Sequence, residues 1–124
     1  MSNQELEVVD SGGGACCVGL AAAPLDAEQA VELATVFKAL GDPVRLRLLS
    51  MIASRRGGEV CVCEMTPEFE LSQPTISHHL KLLRQAGLID CQRRGTWVHY
   101  WVVPSALDRL AMVLGTGQTA MGTR

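Results

Sequence analysis

Within residues 71–88, LSQPTISHHLKLLRQAGL, the apolar residues Ile76, Leu80 and Leu83 recur at i, i+4 and i+7. That spacing predicts a helix with one buried stripe. Ser72 is placed to cap it, and Pro74 in the first turn loses nothing, because the first backbone N–H groups have no intrahelical partner. Upstream, Asp26 caps a first predicted helix, with Leu25 before it as a staple residue and Val31, Leu33, Ala34, Phe37 and Leu40 as apolar positions up to Gly41. Asp42 caps a second helix with Pro43 at its first position, and Val44, Leu48 and Ile52 form its apolar face as far as Arg55-Arg56-Gly57-Gly58. A short third helix is expected from about Cys63 to Phe69. Downstream of Gly87, residues 88–92 and 97–102 read as two strands, joined by a turn at Arg93-Arg94-Gly95-Thr96 with Gly95 where positive φ is needed. Pro104 ends the second strand. Ser105 and Asp108 have the spacing of a capping box for a last helix, which carries Leu107, Leu110, Met112, Val113 and Leu114.

This order predicts a mainly α fold with a small β-hairpin: a winged helix-turn-helix over residues 24–114. Residues 1–23 form a Gly- and Ala-rich N-terminal arm, expected to be flexible, and residues 115–124 a frayed tail. Beside the buried stripe of the fourth helix lie Thr75, Ser77, His78, Lys81 and Arg84, with no carboxylate among them. A helix with an apolar back, a hydroxyl-rich N-terminus and a basic flank suits the DNA major groove. Its first turn reaches base edges and its cations meet phosphates. His78 and His79 are about 100° apart on the helix, so the two imidazoles face different surroundings.

With 124 residues, 48% hydrophobic and 19% charged, the chain fits one domain with a real core. No apolar run approaches a membrane span, and the N-terminus lacks a secretory signal, so a cytoplasmic protein is expected. The net charge of −2 is unevenly spread. Residues 1–40 carry Glu5, Glu7, Asp10, Asp26, Glu28 and Glu32 against Lys38, whereas residues 71–103 carry Lys81, Arg84, Arg93 and Arg94 against Asp90. Local potential governs binding, so the second half suits an anion although the whole chain is acidic.

The five cysteines of a cytoplasmic chain are read as thiols with chemistry. Cys61 and Cys63 stand at or before the start of the third helix, where a helix N-terminus favours thiolate and would make Cys63 a low-pKa nucleophile. Cys16 and Cys17 are adjacent in the arm. Thiolates without a nearby histidine suit a thiophilic centre. Three of them satisfy pyramidal arsenic(III) or antimony(III), and four suit cadmium, lead or zinc. Cys91 shares a strand face with Ile89 and reads as core. No Ser-His-Asp or Cys-His set and no Gly-rich phosphate loop is present, so no enzyme is indicated.

ALGDPVRLRLL, EVCVCEM, LSQPTISHHLKLLRQAGL and RRGTWVHYWV together resemble the ArsR/SmtB family of arsenic- and metal-responsive repressors over about residues 30–114. The resemblance implies a homodimer, paired through its first and last helices, on double-stranded operator DNA with an inverted repeat. It implies that Ser72, Gln73, Thr75, Ser77 and His78 face the groove. Lys81, Arg84, Arg93 and Arg94, four cations on adjoining elements, are read as phosphate contacts, with a narrow minor groove as the alternative for Arg93 and Arg94. The resemblance also implies that Cys61 and Cys63 form an arsenic or soft-metal site. In related cadmium and lead sensors, arm cysteines of one subunit join that pair on the other subunit. This chain departs from the simplest arsenic pattern, since Met65, Thr66 and Pro67 follow Glu64 where a further cysteine would stand. A third thiol would come from Cys16 or Cys17. The expected function is an arsenite- or antimonite-released repressor, with a cadmium-, lead- or zinc-responsive repressor as the alternative. A redox-sensing regulator, or a thiol oxidoreductase or metallochaperone, uses the same cysteines. The latter lacks a Cys-x-x-Cys and leaves the wing unexplained.

Overall fold

The computed structural model describes residues 19–115, so Cys16 and Cys17 lie outside the described residues. Helices α1 (Ala27–Leu40) and α2 (Pro43–Ala53) are followed by a two-residue strand β1 (Val60–Cys61) and a single-turn helix α3 (Val62–Met65). A 3-10 turn (Thr66–Glu68) leads to α4 (Gln73–Gln85), the hairpin strands β2 (Ile89–Arg94) and β3 (Trp97–Val102), and α5 (Pro104–Leu114).

Local signals set most helix ends. The Asp26 carboxylate accepts from the Gln29 N–H at 2.8 Å, and the Gln29 amide oxygen accepts from the Asp26 N–H, closing a capping box. The Asp42 carboxylate accepts from the N–H groups of Val44 and Arg45, with Pro43 at the first helical position. Helix α4 ends in a Schellman motif. The Leu88 N–H reaches the Leu83 carbonyl, the Gly87 N–H reaches that of Arg84, and Gly87 takes φ +82°. Both apolar partners of that motif, Leu83 and Leu88, are buried.

The core collects Leu48 and Ile52 from α2, Met65 from α3, Ile76, Leu80 and Leu83 from α4, and Leu88 and Ile89 from the start of the hairpin, all essentially without exposure. Each such side chain contributes roughly 1.5–3 kcal/mol by leaving water. The predicted stripe of α4 is thus the part of the recognition helix that fixes it to the body of the domain.

Three details differ from the sequence reading. The sheet has three strands, in the order β1-β3-β2, because Val60 and Cys61 pair with Tyr100 and His99. Two residues carry no alternation to read, so only the neighbouring strand reveals them. The strands of the wing also run on through Arg93 and Arg94, leaving Gly95 and Thr96 as the turn, with Gly95 at φ +66°. Finally, Ser105 and Asp108 form no capping box. Helix α5 starts at Pro104, its N-cap is Val103 without a side-chain cap, and the Val103 N–H donates to the Leu88 carbonyl instead. Proline's fixed φ suits the first helical position, so the helix begins before Ser105 is in place to cap it.

Candidate DNA interface and dithiol site

At the N-terminus of α4, the Ser72 hydroxyl accepts the Thr75 N–H at 3.3 Å and lies 2.9 Å from the Thr75 hydroxyl. Ser72, Gln73, Thr75 and His78 are exposed, and Ser77 is half-buried. Gln73, Ser77 and Lys81 follow one another at i, i+4 and i+8, a line along the helix. His78 lies about 200° around the axis from buried Ile76, so it faces outward. His79 is turned inward. Its Nδ1 lies 3.2 Å from an Arg45 guanidinium nitrogen and 3.9 Å from the Asp42 carboxylate. Arg45 in turn donates to the Ala39 carbonyl at 2.6 Å. The sequence could only say that the two imidazoles differ; the structure assigns His79 to the joint between α1, α2 and α4. Nothing in its spacing signalled Arg45 as the partner.

The four cations of this half divide into two kinds. Arg84 pairs with Asp90 at 3.2 Å, and Arg94 pairs with Glu59 at 2.7 and 3.0 Å. Lys81 and Arg93 are exposed and have no carboxylate partner among the described residues. The Arg94 guanidinium holds the Glu59 carboxyl below its ordinary value, and the Arg45 N–H does the same for Asp42.

Cys61 and Cys63 meet at the junction of β1 and α3. Cys61 is buried and occupies the N-cap position, where its sulfur accepts the Cys63 N–H at 3.2 Å. The Cys61 N–H donates to Glu64, whose carboxylate is also ion-paired with Arg55. Cys63 is exposed. The expectation of a low-pKa thiol at Cys63 is overturned. Hydrogen bonding to the Cys61 side chain raises its pKa first, followed by desolvation and then by the charges of Cys61 and Glu64. A four-residue helix also has little dipole to set against them. The two sulfurs form an adjoining soft-donor pair, and among the described residues no group of three His, Cys, Asp or Glu side chains is placed to hold a metal ion. Cys91 is half-buried against the core, in register with Tyr100, as the strand pattern indicated.

Residues 42–90 match the family model described as the bacterial regulatory protein, arsR family. Over 83 residues the chain is 43% identical to an uncharacterised HTH-type transcriptional regulator of Methanocaldococcus jannaschii, covering 67% of this chain and 91% of that one. It is 52% identical over 69 residues to the arsenic resistance transcriptional regulator ArsR1 of Pseudomonas putida, covering 56% of this chain and only about half, 52%, of that protein. The crystal structure of the transcriptional repressor BigR from Xylella fastidiosa superposes with a TM-score of 0.55 at 30% identity, covering 67% of this chain and 82% of that one. No helix among the described residues is long and apolar enough to cross a membrane. The chain belongs to the arsR family: it is a DNA-binding, winged-helix transcriptional repressor and not an enzyme.

Proposed function

We propose that this repressor leaves its operator when arsenic(III) or antimony(III) is bound by Cys61, Cys63 and an arm thiol from Cys16 or Cys17. The observation that carries this reading is the placement of two adjoining sulfurs at the root of both DNA-facing elements. Cys61 is paired with His99 of the wing strand β3, and Met65 of α3 is packed in the core that also holds Ile76 and Leu80 of α4. An ion that draws Cys63 and an arm thiol towards Cys61 therefore pulls on the wing and on the seat of the recognition helix together. Soft thiolate donors favour a thiophilic ion. Release requires different inducer affinities in the DNA-bound and free states, commonly about 1–3 kcal/mol of coupling.

On the DNA side, Gln73 and His78 read base edges, Ser72, Thr75 and Ser77 line the groove, and Lys81 and the wing arginines meet phosphate. The repressor acts as a homodimer. Val31, Met112 and Leu114 leave apolar surface exposed on α1 and α5. Between these helices lies a groove lined by Leu33, Val36, Leu110 and Val113, with the Arg109 Nε buried at its side and without a hydrogen-bond partner among the described residues. A second copy would cover this face, and its two-fold symmetry sets an inverted-repeat operator with half-sites about one helical turn, or a multiple, apart.

The test is operator release, followed by fluorescence anisotropy with arsenite, cadmium, lead and zinc in parallel. Cys63→Ser should bind operator and ignore arsenite. Cys61→Ser should do the same, since serine caps a helix well but is a poor ligand for arsenic. Release by cadmium, lead or zinc but not by arsenite would assign the metal-responsive alternative. Arsenite-driven release of the Cys61→Ser/Cys63→Ser protein would remove the site. A mixed dimer, with Cys16 and Cys17 replaced in one chain and Cys61 and Cys63 in the other, keeps one intact site only if the ligands cross between subunits.

A further inference from the structure

The two arginines of the wing are neighbours in sequence and opposites in structure. Arg93 is exposed and has no carboxylate partner among the described residues. Arg94 is occupied on both sides. Its guanidinium gives two parallel bonds to the Glu59 carboxylate, at 2.7 and 3.0 Å, and its Nε and a terminal nitrogen both donate to the Gln92 amide oxygen, at 3.1 and 3.0 Å. Gln92 lies two residues back along β2, and Glu59 comes from the chain just before β1, on the far side of the central strand β3. The side chain therefore lies across the sheet towards the base of the wing.

A carboxylate held in this two-pronged way has the geometry that a phosphate offers to the same guanidinium. Both partners remain open to water, at 45% and 39% side-chain exposure. Exposed pairs of this kind are weak enough to exchange. We infer that Glu59 is an intramolecular competitor for Arg94, occupying the guanidinium in the free repressor and surrendering it to an operator phosphate on binding. Glu59 thereby sets operator affinity without touching DNA. This rests on the reading that the wing meets DNA, and it goes further by assigning a role to a residue outside both the recognition helix and the wing. The alternative is purely structural: the pair would merely hold β1 against the sheet.

The experiment compares full-length wild-type protein, Glu59→Gln, Arg94→Ala and the double variant on one operator duplex across a range of salt. Glu59→Gln should bind about two- to fivefold tighter, the size of a released exposed ion pair. The gain should vanish in the Arg94→Ala background. Arg94→Ala alone should lower the log–log salt slope by about one unit, as one phosphate contact is lost. Glu59→Gln binding no tighter than wild type overturns the competition, and so does an undiminished gain without Arg94, which would be general charge repulsion. The wild-type protein supplies a check independent of any variant: the Arg94 Nε–H resonance should shift when operator is added, and an unmoved resonance overturns the exchange. Gln73→Ala separates the two readings. If it alters base preference while the Glu59 cycle is flat, only the competition fails. If both Gln73→Ala and Arg94→Ala leave binding unchanged, the DNA-facing assignment fails with it.

Discussion

Helix α4 and the β1–α3 segment follow each other in the chain, both carry proposed site residues, and they are built by different means. Helix α4 carries its own instructions: a serine cap, proline in the first turn, a three-residue apolar stripe and a glycine in the left-handed region at its end. The β1–α3 segment has almost none. Its strand is two residues long, its helix one turn, and its N-cap is a cysteine sulfur. What holds it is mostly borrowed: the wing strand beside Cys61, the core around Met65, and Arg55, which pairs with its Glu64. The difference teaches where a switch is best placed. A self-sufficient helix presents one rigid reading surface, while a segment defined by its neighbours transmits any pull on its thiols to those neighbours.

The largest effect that would break this contrast is in the core. Leu80→Ala should cost about 2–5 kcal/mol of stability in a denaturant titration, because Leu80 is fully buried. A loss below 1 kcal/mol, on the order of a surface change, would mean that α4 does not depend on its seat. Gln73→Ala sharpens the other face of the same helix. Operator binding should weaken by about 1–3 kcal/mol with relaxed preference at one base pair per half-site, while thermal stability stays put. Unchanged preference would take Gln73 out of the readout. Arg93→Ala should weaken every duplex alike and reduce the salt slope by about one unit. A loss confined to the cognate sequence would make Arg93 a base reader. The smallest effect is in acid. The carboxyls of Asp42 and Glu59 are held below their ordinary values of 3.8 and 4.5, so their stabilisation is complete above those values and fades as the pH falls through the lowered ones. Asp42→Asn should flatten part of that acid slope through the cap of α2, and Glu59→Gln part of it through the wing. Identical melting profiles for all three proteins below pH 4, near the ordinary values, would show that neither carboxylate is engaged.

The helices, their caps at Asp26, Asp42 and Ser72, the buried stripe of α4 and the hairpin with its glycine turn were legible in the sequence, because each is fixed by interactions a few residues apart. So was the family, whose motifs are short contiguous runs. Other features came only with tertiary structure, because each depends on partners far along the chain. Strand β1 exists through Tyr100 and His99. The inward turn of His79 follows from Arg45. The division between Arg93 and Arg94 was hidden for the same reason: a carboxylate 35 residues away, at Glu59, decides which of two adjacent cations is already engaged. Local sequence determined the helices and the hairpin, while long-range packing added strand β1 and decided which side chains are engaged and which stay exposed.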